Sequence, residues 1–395
     1  MRLTALVLVA LPIVLGLYSY IVYPTILRLL ALGKRQPAGR PVAAGGTVPL
    51  VTVVVPAYNE ETQIRGAIEA LLAQTYPHER MQILILSDAS TDATDSIVAE
   101  YASQGVELMR MPARSGKTAI ENAAIPLIRG DVVLNSDSST RLHRDAIRFL
   151  VEQLADPEIG VASGRDVSVT AGDTSANSVE AEYVDYEMRL RALETRTGGI
   201  VGASGCCYAI RAELHRLPVP PDLSRDFSAP LTAREHGRRA VSVDAAIAFV
   251  PRTKSLRREY VRKVRTISRG METLFRVRYM LNPIRFGMFA WKLFSHKVCR
   301  WLMPLSAVPA AAGLAFLART DPWAQLMAAG AVIAGATAVV GATWPESKRV
   351  PRFIGIVAFS VAANVAVIHA VARLLRASED KTWEPTRRDA VVLPE

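Results

Sequence analysis

The sequence predicts an α/β fold, a parallel sheet covered by helices on both faces, with transmembrane α-helices flanking it at both ends. Three observations predict it. Short β-branched runs alternate with amphipathic stretches from residue 50 onward, most of these runs end at polar residues, and apolar residues crowd the N-terminus and the chain after about residue 300.

Length and composition agree. The 395 residues exceed one ordinary compact core, and half of them are hydrophobic, a surplus that is concentrated rather than spread. The formal net charge is +10, with many Arg and Lys residues at 252–300, beside the apolar C-terminal third. A basic face next to a membrane meets anionic headgroups, so membrane lipids are expected partners. No recognised nucleic-acid-binding motif accompanies the charge, which argues against a nucleic-acid partner. Cys206, Cys207 and Cys299 make neither a disulfide framework nor a metal-ligand spacing, as suits a reducing compartment.

Residues 1–33 read as an N-terminal transmembrane anchor: Leu3 to Leu32 is broken only by Pro12, Ser19, Pro24 and Arg28 and is too long for a cleaved signal peptide. Arg28, Lys34, Arg35 and Arg40 follow, and positive flanks stay cytoplasmic. Residues 34–49, rich in Gly, Ala and Pro, read as a linker. Residues 50–255 then form the globular domain. Leu50 to Val55 is a strand ending at Pro56, and Thr62 to Gln74 a helix. Met81 to Leu86 is the second strand, with a helix over Ala93 to Tyr101. Val106 to Met111 is the third, followed by a helix from Lys117 to Ile128. Val132 to Asn135 is the fourth, ending at Asp137. Asp145 to Leu154 and Glu180 to Glu194 are helices. Gly198, Gly199, Gly202 and Gly205 precede a strand over Cys206 to Ile210, where a tight turn and close approach of a ligand explain them equally.

Parallel strands present their carboxyl ends at one edge, where open α/β folds bind ligands. The polar residues gathered there include Asn59, Glu60, Asp88, Lys117 and Asp137. Asp137 is the candidate centre, because a hard divalent cation on a nucleotide diphosphate needs only one or two protein carboxylates. A turn cap would also explain Asp137, and a helix N-cap Asp226.

Residues 256–300 read as amphipathic interface helices. In Arg257 to Arg278 the apolar Val261, Val264, Ile267, Met271, Leu274 and Phe275 recur among basic residues at helical spacing. Residues 301–376 hold three further spans, roughly Leu302 to Leu317, Ala324 to Thr343 and Phe353 to Leu375, and residues 377–395 form a tail. Asn364 and His369 in the last span read as helix–helix hydrogen-bonding groups.

Taken together these motifs resemble glycosyltransferase family 2, in the cellulose-synthase-like superfamily of membrane-bound enzymes. The resemblance covers about residues 50–270. Pro56-Ala57-Tyr58-Asn59-Glu60-Glu61 is similar to the family's nucleotide-base loop, and Ser87-Asp88-Ala89-Ser90-Thr91-Asp92 to its uridine-contacting motif. Gly116-Lys117-Thr118-Ala119-Ile120-Glu121-Asn122 is similar to its G-K-x-x-A-x-N segment. Two positions depart from the pattern. The D-x-D metal motif reads Asp137-Ser138-Ser139, and Q/R-x-x-R-W reads Arg262-Lys263-Val264-Arg265-Thr266, without its Trp.

The resemblance implies a GT-A, Rossmann-like nucleotide-diphospho-sugar transferase domain. It implies Pro56, Tyr58, Glu60, Asp88, Lys117, Asp137, Arg262 and Arg265 as donor-binding residues, with Arg262 and Arg265 clasping the diphosphate. It implies Mg²⁺ or Mn²⁺ held through Asp137, and Asp226, preceded here by Arg225 instead of an acid, as catalytic base. The implied activity is inverting transfer from a nucleotide sugar, a UDP-sugar, to a glycan or lipid acceptor in cell-surface polysaccharide or glycolipid synthesis. The alternative is a catalytically impaired nucleotide-sugar-binding subunit of a membrane synthase complex. Four spans are few for a polymer channel, which a homo-oligomer or synthase-complex partners would supplement. The expected location is the cell (inner or plasma) membrane, multi-pass, with the catalytic domain cytoplasmic. One N-terminal and three C-terminal spans put the tail outside, yet Arg373, Arg376, Lys381, Arg387 and Arg388 are a cytoplasmic kind of flank. Either a C-terminal segment is re-entrant or the N-terminal one does not cross.

Overall fold

The computed structural model describes residues 1–36, 39, 48–169, 175–251, 256–345 and 350–376, with 175–179 and 256 as backbone only. Most of the expected linker and the whole tail lie outside the described residues. The chain divides into two units.

The first unit, between residues 33 and 252, is built on one eight-stranded sheet. Its strands are β1 (Val51–Ala57), β2 (Met81–Ser87), β3 (Val106–Arg110), β4 (Val132–Ser136), β5 (Arg141–Leu142), β6 (Ile159–Val169), β7 (Cys207–Arg211) and β8 (Arg239–Pro251), in the order β3-β2-β1-β4-β7-β6-β8-β5. The first four strands pair in parallel, as the strand–helix rhythm predicts. Beyond β4 the sheet is mixed: β7 runs antiparallel to β4 and β6, and β5 antiparallel to β8.

β1 is apolar on both faces because both are covered. Val51, Val53 and Val55 enter one core with Ile64, Ile68, Ile147 and Leu150 from the helices Ile64–Leu72 and Ala146–Leu154. Val54 enters the other, with Ile120, Ala124, Ala229 and Ala233. Such two-sided burial produces continuous β-branched runs rather than alternation. The register sets Ala57 against Ser87 and Val54 against Asn135. Tyr58, Asp88 and Asp137 therefore leave the sheet at one edge.

The second unit holds the N-terminal helix, the start of the helix Ser175–Arg196 and the chain from residue 256. Among the described residues, four helices in this unit are long and apolar enough to cross a membrane: Arg2–Leu30, Met288–Leu317, Pro322–Ala342 and Arg352–Leu375. The N-terminal helix continues through Pro12 and Pro24, with a π-helical turn at Tyr18–Val22. It packs closely on the helix ending at Leu317: a β-carbon on Gly313 would lie 2.9 Å from Ala5 O. The apolar helix ending at Leu317 reaches back to Met288, through a second π-helical turn at Phe294–Val298.

The amphipathic helix Leu256–Arg276 packs on Arg352–Leu375, where Tyr260 Oη and His369 Nδ1 share a hydrogen bond at 3.0 Å. Asn364, by contrast, donates to Ser360 O in its own helix at 2.8 Å.

Candidate active site

The loops after β1 and β2 brace each other. Asn59 and Ala89 both take positive φ, +52° and +58°. Left-handed backbone is unfavourable for residues with a β-carbon and persists where surrounding structure imposes it, commonly at functional loops. Here Asn59 N donates to Ser90 Oγ at 3.2 Å, and Asn59 Oδ1 accepts from Thr91 N at 2.8 Å. Pro56 lies within β1, which runs on to Ala57, and it falls beyond the last β1–β4 pair of the register, Val54 with Asn135. Tyr58 lies under the Arg114 guanidinium, 4.0 Å from ring centre to Cζ. Glu60 is buried, and its backbone N donates to Thr94 Oγ1 at 2.8 Å.

Asp88 is fully buried and accepts three hydrogen bonds: from Ser115 N at 2.7 Å, Ser115 Oγ at 2.9 Å and Gly116 N at 2.8 Å. It thereby holds the turn that starts the helix Lys117–Ala123. Gly116 takes φ +93° there, a conformation glycine adopts freely. Lys117, the first residue of that helix, reaches the end of β4, where Nζ lies 2.6 Å from Asp137 Oδ1. Burial opposes the lysine's charge, but the carboxylates of Asp137, Glu121 and Asp226 outweigh it and raise the ammonium above its ordinary value. The same helix holds the segment that leads to Asp226, with Thr118 Oγ1 donating to Leu223 O at 2.9 Å.

Asp226 is in the first turn of the helix Arg225–Glu235, whose N-cap position belongs to Ser224, so Asp226 is not the cap. Ser224 Oγ donates to Asp226 Oδ1. Asp226 Oδ2 lies against Gly205, where a β-carbon would come to 2.8 Å. Gly205 is thus closely approached by the Asp226 carboxylate, whereas Gly198 and Gly199, at φ +115° and +120°, are turn residues. Asp137 caps no helix. Its carbonyl accepts from Thr140 N at 3.0 Å in a turn, and its side chain is half-buried at the sheet edge.

The remaining two predicted residues lie in the other unit. Arg262 donates to Glu259 at 2.6 Å and Glu180 at 2.9 Å, both buried carboxylates, and Arg265 is on the same helix. The structure therefore gives Arg262 carboxylate partners where the resemblance implied a diphosphate. Sequence reasoning missed Glu121 as a neighbour of Lys117, although its place four residues on, one helical turn away, was legible. It also missed Arg141, which is buried and donates to Ser138 O at 3.4 Å, Thr140 O at 3.3 Å and Gln63 O at 2.9 Å, supporting the loop after Asp137.

Among the described residues no three His, Cys, Asp or Glu side chains could hold a metal by themselves. Asp137 nonetheless fits a shared site. Hard cations such as Mg²⁺ complete their oxygen shell with substrate phosphates and water, and one partly exposed carboxylate at the ligand edge suffices.

The chain is similar to known glycosyltransferases. An N-acetylglucosaminyltransferase of Rhizobium meliloti (strain 1021) is 28% identical over 333 residues, aligning 78% of this chain with 75% of that protein. A second, from Sinorhizobium fredii, is 26% identical, aligning 84% with 82%. A solved mannosyltransferase of Pyrobaculum calidifontis, in complex with GDP-Man and Mn2+, superposes with a TM-score of 0.72 at 23% identity, covering 94% of this chain and all of that one; the likeness is one of GT-A fold. Residues 52–217, from the first strand to just past β7, match the model for glycosyl transferase family 2; this segment carries that family's domain, and the chain is a glycosyltransferase.

Proposed function

We propose that this glycosyltransferase transfers a sugar with inversion from a UDP-sugar to a lipid or glycan acceptor, at the cytoplasmic face of the cell membrane. The names of its relatives make UDP-N-acetylglucosamine the first donor to try. The observation that carries the reading is Lys117 paired with Asp137 at the ligand edge of the sheet, on the helix that also holds the segment leading to Asp226. These residues supply a cation, a metal-accessible carboxylate and a further carboxylate able to take a proton.

In this reading Tyr58 and Asp88 receive the nucleoside, and Lys117 counters charge on the diphosphate. Asp226 takes the proton of the acceptor hydroxyl as that oxygen bonds to the anomeric carbon and the bond to the diphosphate breaks. A single displacement of this kind inverts the carbon. A divalent ion bound at Asp137 would supply Lewis-acid stabilisation of the leaving nucleoside diphosphate. The four apolar helices support membrane attachment, and the basic flank after the first of them supports a cytoplasmic domain.

UDP release by the detergent-purified protein, screened over UDP-sugars with Mg²⁺ or Mn²⁺, tests the reading. Release with one donor, lost in Asp226→Asn and Asp137→Ala, is the expected result. UDP binding without release from any donor would sink it in favour of a binding subunit.

A further inference from the structure

The helix Lys117–Ala123 grips the segment leading to Asp226 at several points. Thr118 Oγ1 donates to Leu223 O at 2.9 Å, Asn122 Nδ2 donates to Val219 O at 2.6 Å, and Asn122 Oδ1 accepts from Val219 N at 3.3 Å. Between them, Glu121 is 1% exposed and its Oε2 lies 3.5 Å from Nε of Arg225, itself 6% exposed. Neither of these two atoms has a hydrogen-bond partner, so their attraction is purely electrostatic. The other guanidinium nitrogens donate to His215 O at 3.1 Å and to Asn122 Oδ1. Arg225 is thus drawn into the body of the domain, while its neighbour Asp226 rests against Gly205.

A buried cation next to a carboxylate would ordinarily capture it in an ion pair. Here the cation is matched from the other side by Glu121. We propose that Glu121 and Arg225 are a positioning pair for Asp226: Glu121 holds the guanidinium on the helix Lys117–Ala123, which fixes the first turn of Arg225–Glu235 and leaves the Asp226 carboxylate turned to the acceptor. The inference rests on Asp226 being the base. It explains how an arginine is accommodated where the family's pattern has an acid, since the compensating acid lies on another element.

The test uses the full chain in detergent with UDP-N-acetylglucosamine, or whichever donor the wild type turns over. The variants are Glu121→Gln, Arg225→Met, the double Glu121→Leu/Arg225→Met, and Glu121→Gln placed on Asp226→Asn. Displacing a reacting group by an ångström costs on the order of 100-fold in rate, so each single variant is expected to lose kcat by about that factor, with UDP affinity by calorimetry staying within about threefold in Arg225→Met. The apolar double variant is expected to recover the melting temperature, as buried pairs replaced by packed apolar side chains do, yet remain slow. On the Asp226→Asn background, Glu121→Gln is expected to cost no further rate, because a residue acting through Asp226 has nothing left to position. A double variant restored in both melting temperature and kcat overturns the proposal, as does a full additional loss on the Asp226→Asn background. If the single variants do not fold, the double variant still decides. Asp226→Asn at wild-type rate would instead overturn the reading of the base, a separate and recognisable outcome.

Discussion

Lys117 Nζ and Asp137 Oδ1 lie 2.6 Å apart, joining the helix that follows β3 to the end of β4. Because Glu121 and Asp226 also act on this ammonium, one lysine balances the acidic side of the site. Lys117→Met should therefore lower the rate of UDP release by ~100-fold, the scale on which a single group stabilising transition-state charge is felt. Steady-state kinetics on the purified variant checks it, and an unchanged rate would show that Lys117 serves the fold alone.

Asp226→Asn keeps the shape of the side chain and removes its basicity. General-base contributions are about 10²–10⁴-fold, so kcat should fall by that amount while UDP still shifts the melting temperature. Loss of UDP binding would place Asp226 in donor recognition instead.

Asp88 accepts three hydrogen bonds from Ser115 and Gly116. Asp88→Ala leaves two backbone N–H groups without their acceptor, which should cost about 3 kcal/mol of stability and release the N-terminus of the helix carrying Lys117. Chemical denaturation reports the first effect and the donor KM the second.

Gly205→Ala would set a methyl group 2.8 Å from Asp226 Oδ2. The carboxylate or the loop must shift, so kcat should fall at least about 10-fold with the protein still folded by circular dichroism. A wild-type rate would mean that Asp226 has room to move without consequence.

His215 is buried beside Arg225 and Arg216. Burial first, and then these two cations, push its imidazole well below the usual histidine value. Its Nε2 lies 3.3 Å from Asn135 Oδ1. The unfolded chain takes up a proton near pH ~6.5, whereas the folded one does not. Stability should therefore fall as pH drops below that value toward the depressed folded pKa. His215→Gln should flatten this part of the profile in melts between pH 5 and 8, whereas an equally steep profile would assign the effect to other groups.

Much of the donor half was legible in the chain itself. Runs such as Val51–Val55 and Val132–Leu134 must be buried on both faces, and the polar residues that end them must share an edge, so Tyr58, Asp88 and Asp137 fall together before any contact is known. The apolar N-terminus and C-terminal third likewise require helices of membrane-crossing length. The other half depended on partners remote in sequence. β6 and β8 contain small and polar residues, which give no strong strand signal and are held by pairing with each other. The place of Gly205 against Asp226, of Glu121 against Arg225 and of Arg262 between Glu180 and Glu259 was decided only when chain segments met. Local pattern reports how much of a residue is buried and with what period. Which charge faces which across the fold is a property of distance in space, and the tertiary structure alone sets it.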